Sequence, residues 1–131
     1  MEKEDGTGPG KNEDQTAEEL PTLKRIEFLV LVVLADGENH GYRIVQEISR
    51  LTGGRVKVLP GNLYAVLRRL TEDGLLVEAS RKPAPELADK RRRHYQITGF
   101  GKRVLSAEAE LLRSLVHVVS ERALIPDGAS S

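Results

Sequence analysis

Glycine cuts the body of this chain into short helical lengths. Asp36-Gly37, Gly53-Gly54 and Gly74 are stops, because glycine suits the left-handed residue that follows a helix. Only short helices fit between them, so the first half of the body is a stack of small amphipathic pieces. Thr22 can cap the first, which carries Ile26, Leu29, Val30, Val33 and Leu34. A second starts around Asn39-His40 and presents Ile44, Val45, Ile48 and Leu51. Val56-Lys57-Val58 then alternates as a short strand. Pro60 has a preset φ and no donor to waste at a first helical position, so a third helix runs from there to Gly74. Leu75 to Ser80 and Arg92 to Ile97 read as two strands around the polar connection RKPAPELADK. Thr98 caps a long last helix to about Arg122. The expected fold is mostly α with a small β-hairpin wing: a winged helix-turn-helix followed by a long C-terminal dimerisation helix.

Charge is distributed unevenly along this frame. The formal net charge is zero, yet residues 1 to 20 carry seven acids against two lysines, and His40 to Arg103 carry 14 bases against 6 acids. The first stretch is rich in Gly, Pro and acid with almost no bulky apolar side chain, which predicts a disordered acidic tail over 1–20. The winged domain is expected over 21–97, the dimerisation helix over 98–123 and a flexible tail over 124–131. There is no cysteine, which excludes disulfides, thiolate zinc sites and cysteine nucleophiles. The longest apolar run, Phe28 to Ala35, is too short to span a bilayer and lies behind Lys24 and Arg25, so no membrane partner is expected and a cytoplasmic location is.

The third helix is the most informative element. On a 3.6-residue wheel Leu63, Val66, Leu67 and Leu70 form one stripe that must face a core. Gly61, Ala65, Arg68 and Glu72 project the other way, flanked by Asn62, Tyr64 and Arg69. A small outward face lets a backbone approach a large partner closely, and a basic helix of this kind fits the DNA major groove. Alone, it would pass for a surface helix with two solvated arginines. A helix-turn-helix before it, the basic KRRRHY hairpin after it and a spare short strand complete a winged helix instead. Asn62 and Arg68 then match adenine and guanine edges. Tyr64 and Arg69 are placed for phosphates, and Arg91, Arg92 and Arg93 of the wing for backbone or minor groove. A winged helix serving protein or RNA interaction is the alternative, and an enzyme is a remote third.

The stretches LVLVVLADGENHGYRIVQEI, GGRVKVLPGNLYAVLRRLTEDGLL and RRRHYQITGFGKRVL resemble the PadR family of bacterial transcriptional regulators. The likeness is to its short members with a single C-terminal helix and covers roughly residues 22 to 122. It is carried by His40-Gly41-Tyr42, Pro60-Gly61-x-Leu63-Tyr64, Leu67-Arg68-Arg69-Leu70, Gly74-Leu75 and the Arg92-to-Gly101 run. The resemblance implies a homodimer that represses transcription at a double-stranded DNA operator and is often released by a small-molecule inducer. Leu59 stands where a serine or threonine cap is usual, at a cost of about 1 kcal/mol.

In the last helix Val104, Leu111, Leu115 and Val118 make one apolar stripe and Leu105, Leu112, Val116 and Val119 an adjacent one. Together they are wider than one packed seam needs, which implies a second copy of the chain as partner. The helix has no tryptophan and its one aromatic is Phe100, so an aromatic drug sandwich has no support. His117, among valines, reads as an edge residue ahead of a sensor. Gly99 to Lys102 mimics the tail of a phosphate loop, but Arg103 stands where that loop needs Ser or Thr, and it reads as a helix start. His40, His94 and His117 are far apart in sequence without metal-ligand spacing. No nucleophile, base and orienter assemble, so neither catalysis nor a cofactor or metal is expected.

Overall fold

A computed structural model describes residues 20–79 and 93–122. The acidic stretch up to residue 19, the connection 80–92 with Arg91 and Arg92, and residues 123–131 lie outside the described residues. Among the described residues four helices and three short strands follow one another: α1 (Arg25–Ala35), β1 (Asn39–His40), α2 (Gly41–Leu51), α3 (Pro60–Glu72), β2 (Leu76–Glu78), β3 (His94–Ile97) and α4 (Gly99–Glu121). The strands form one antiparallel sheet in the order β1-β3-β2. This is the mostly helical, winged arrangement the sequence predicts.

The helix boundaries follow from local chemistry. Gly53 at φ 62° and Gly74 at φ 84° take left-handed backbone just past the ends of α2 and α3, where a side chain would be strained. Pro60 is the first residue of α3. Its N-cap, Leu59, makes no side-chain capping bond, as the apolar residue there predicts. Thr98 caps α4 by accepting from the Gly101 N–H at 2.9 Å, and its hydroxyl donates to the Gly74 carbonyl at 2.7 Å.

Two expectations are corrected. The helix expected from Thr22 begins instead at Arg25, with extended Lys24 as N-cap. The Glu27 carboxylate accepts from the Lys24 N–H at 2.8 Å, so a carboxylate three residues on, not the Thr22 hydroxyl, satisfies the helix start. The third strand of the sheet is Asn39–His40, which the helical pattern had absorbed into α2, and not Val56-Lys57-Val58. Asn39 pairs with Tyr95 and His40 with His94, while His40 Nδ1 accepts from the Arg43 N–H at 3.2 Å and caps α2. At 56–58 the Val56 N–H goes to Thr52 Oγ1 at 3.1 Å, and Val58 is buried: the stretch is an extended strap rather than a ladder strand.

One core joins these pieces. Val30, Leu31 and Leu34 of α1, Ile44 and Ile48 of α2, Leu63 and Leu67 of α3 and Val104 of α4 are all but fully buried. At about 1.5–3 kcal/mol for each large aliphatic side chain taken from water, this cluster holds α3 by one face and leaves its other face outward.

Candidate nucleic-acid interface

The α3 stripe expected to face inward does so: Leu63, Val66, Leu67 and Leu70 are buried. Gly61, Asn62, Arg68, Arg69 and Glu72 are exposed, whereas Tyr64 and Ala65 are half-buried. The tip of the helix is small and uncharged. Leu59 is 75% exposed beside Pro60, and nothing lies within 4 Å of where a Gly61 Cβ would stand.

The cations around this face differ in how far they are neutralised. Among the described residues Arg68 makes no ion pair and points its charge outward. Arg69, its neighbour, sends Nε and Nη2 to one oxygen of Glu27, Oε2, at 3.2 and 3.1 Å. Arg93, just ahead of β3, lies 3.4 Å from the Glu78 carboxylate with both side chains about half exposed, so the pair is weak and separable. The Tyr95 phenol is pushed above its ordinary range, mainly by burial and next by the nearby Glu78 charge. Tyr64 packs over the start of α2, where a Cβ on Gly41 would lie 2.8 Å from its Cε1.

Sequence reasoning missed several residues. Arg55 and Lys57, ahead of α3, are exposed and form no ion pair among the described residues; their alternation with Val56 and Val58 is the sequence signal, and it reads equally as a short strand. Among the described residues Glu27 and Glu108 are the buried acids. The spacing of Glu27 from the start of its helix was a capping signal, obscured because lysine occupies the cap.

The structure divides the residues expected at a dimer seam. Val104 is fully buried in the core of its own domain and Leu105 is half-buried against it. The first turns of α4 pack back on the domain, so Val104 is unavailable to a partner. Beyond Glu108 every residue to Val118 is exposed. Leu111, Leu112, Leu115, Val116 and Val118 expose 37–55% of their surface, and Val119 is half-buried. His117 is an edge residue, 3.4 Å from Glu121.

The histidines are less scattered than their sequence positions imply. His40 and His94, cross-strand neighbours, meet edge to face with ring centroids 5.7 Å apart. His94 Nδ1 lies 3.6 Å from the Glu38 carboxylate. No group of three such side chains able to hold a metal occurs among the described residues, and no described helix is long and apolar enough to cross a membrane.

Comparison with known proteins agrees with this geometry. The profile of the transcriptional regulator PadR-like family matches residues 30–107. Transcriptional regulator Rv3488 of Mycobacterium tuberculosis is 42% identical over 95 residues, 72% of this chain and 81% of that protein. An uncharacterised 37.1 kDa protein in transposon TN4556 of Streptomyces fradiae is 36% identical over 104 residues; the match takes 79% of this chain but only 27% of that longer protein. The crystal structure of Bacillus subtilis PadR in complex with operator DNA superposes with a TM-score of 0.54 at 22% identity, over 63% of this chain and 45% of that one, a likeness of fold. With most of the chain matched by the family profile and a close relative of similar length, the chain belongs to the PadR-like family of transcriptional regulators.

Proposed function

We propose that the chain is a cytoplasmic, homodimeric repressor that reads a double-stranded DNA operator with α3 and is released by a small ligand. The observation that carries it is the outward face of α3: small at its tip, polar at Asn62 and bearing in Arg68 a guanidinium with no ion pair among the described residues. An N-terminal helix tip of this kind approaches base edges while flanking cations take phosphates. Asn62 and Arg68 are the base-reading pair; Tyr64 and Arg93 contact the backbone, as do Arg91 and Arg92. The Bacillus subtilis relative, captured with its operator, supports DNA as the ligand of the same fold. The exposed apolar residues of α4 from Leu111 to Val118 supply the self-association surface. Repression and ligand release come from the family resemblance.

The test is fluorescence anisotropy of the full chain on a duplex selected from a random-sequence pool, on a scrambled duplex and on a structured RNA, each across a salt series. Preference for the selected duplex, with log affinity falling at about 0.9 per phosphate contact against log salt, is the expected result. Equal affinity for all three nucleic acids, or no salt dependence, overturns the proposal.

A further inference from the structure

We infer that Arg69 is a positioning residue rather than a DNA contact, and that Glu27 and Glu108 complete with it a polar joint that sets the recognition helix against α4. The inference rests on the DNA-binding reading above and assigns a regulatory geometry to the same face.

Charged side chains are seldom buried without a dedicated partner, and among the described residues two acids are buried against one short backbone segment. Glu27 is 9% exposed and Glu108 7%. Glu108 Oε1, from α4, accepts the Leu23 N–H at 3.0 Å. One residue on, Glu27 Oε1 accepts the Lys24 N–H at 2.8 Å. Its second oxygen holds the Arg69 guanidinium through two donors. The backbone at residues 23 and 24 is thereby tied by one carboxylate to α4 and by the other to α3.

The chemistry of each contact says what the joint does. Lys24 is the N-cap of α1 and Leu23 immediately precedes it, so both carboxylates act on the same short segment leading into the helix. Both Arg69–Glu27 contacts converge on one carboxylate oxygen from a planar fork, which fixes orientation as well as charge. Arg69 and Arg68 are adjacent on α3, so an anchor at the first sets the rotation of α3 that aims the second. Directly past Glu108, α4 becomes exposed, and its first large apolar side chains there, Leu111 and Leu112, are 40% and 37% exposed. The joint thus sits between the self-association surface and the recognition helix, and fixing it fixes the spacing of two such helices in a dimer.

A phosphate contact and an anchor differ in their salt dependence. The experiment is anisotropy of the full chain with Arg69→Ala, Arg69→Met, Glu27→Gln, Glu108→Gln and the Glu27→Gln/Arg69→Ala pair, on the selected and the scrambled duplex across a salt series, with thermal melting alongside. Arg69→Ala and Arg69→Met are expected to lose most of the preference for the selected duplex while keeping the parental salt slope. The double variant is expected to bind no worse than the weaker single, because the two residues act as a unit. Glu108→Gln is expected to lower the preference for the selected duplex without changing the slope. A slope flattened by about one per protomer in the Arg69 variants, equally on both duplexes, overturns the inference. So does tighter, more salt-sensitive binding by Glu27→Gln, which would show a freed Arg69 reaching phosphate. If Glu27→Gln does not fold, the Arg69 variants, altered at a side chain 45% exposed, still decide. Loss of operator preference by Arg68→Ala alone, with a flattened slope for Arg69→Ala, leaves the DNA reading standing and removes only this inference; no salt-dependent duplex binding by the parent removes both.

Discussion

Gly101, in the first turn of α4, lies against the Leu75 carbonyl so closely that a Cβ there would overlap the oxygen. The contact lets α4 start where the wing begins, with Thr98 bonded to the carbonyls of both Gly74 and Leu75 at 2.7 and 3.1 Å. The obstacle is backbone, held at both ends, and cannot swing aside. Gly101→Ala is therefore expected to cost at least about 1–3 kcal/mol, the range for overpacking. In a domain of this size the melting temperature falls by roughly 4–8 °C per kcal/mol. A calorimetric scan checks it; a parental Tm would show that α4 does not enter the domain here.

Gly41 offers the contrasting case. Its added Cβ would meet Tyr64 Cε1 at 2.8 Å and the phenol oxygen at 3.1 Å, atoms at the far end of a half-buried side chain. Gly41→Ala is expected to displace Tyr64 at a smaller cost in Tm than Gly101→Ala and to weaken duplex binding. In a Tyr64→Ala background the same substitution should be nearly silent in both measurements. Additive losses would separate the two residues.

The parts of the fold that were legible in the sequence are those fixed by near neighbours. The stops at Gly53 and Gly74, Pro60 at the head of α3 and the Thr98 cap act over a few residues, and each stands where the sequence puts it. The Leu63, Val66, Leu67 and Leu70 stripe was legible because one helical period encodes it. The strand at Asn39–His40 was not, because two residues carry no period and their partners, Tyr95 and His94, lie more than fifty positions away. The same holds at the interface. That Arg68 and Arg69 share the outward side is visible in spacing, but that Glu27, 42 residues earlier, takes one of them depends on how α1 crosses α3. Val104 and Leu111 lie two helical turns apart on one stripe and look alike in sequence. Only the packing of the first turns of α4 against the core tells the buried one from the exposed one.

The exposed end of α4 predicts self-association. Leu112 and Val116 are 37% and 55% exposed one turn apart, so glutamates there disturb no core packing. Leu112→Glu combined with Val116→Glu is expected to leave Tm of the monomer fold close to parental, to give monomers and to bind duplex DNA poorly. Sedimentation velocity at micromolar concentration checks it, and a parental chain that runs as a monomer contradicts it.

The last prediction assigns roles on the DNA face. Arg68 projects from α3 with no ion pair among the described residues, and a forked guanidinium suits the two acceptors of a guanine edge. Arg68→Ala is therefore expected to cost about 1–3 kcal/mol on the selected duplex and to relax base preference at one position per half-site. Arg93 differs in kind: it stands beside the wing strand, and its pairing with Glu78, both half exposed, is worth at most about 1 kcal/mol. It can leave that carboxylate for a phosphate. Arg93→Ala is expected to weaken selected and scrambled duplexes alike and to flatten the salt slope by about one per protomer. Glu72 is exposed near the end of the same helix; on the proposed DNA face its negative charge would repel phosphate, so Glu72→Gln is expected to strengthen binding to every duplex without changing preference. Anisotropy of the three variants on both duplexes at two salt concentrations separates these effects. If Arg68→Ala matches the parent on the selected duplex, α3 does not read bases through this arginine. If Arg93→Ala matches it as well, the outward face of α3 and the wing have lost the two charges that tie them to DNA.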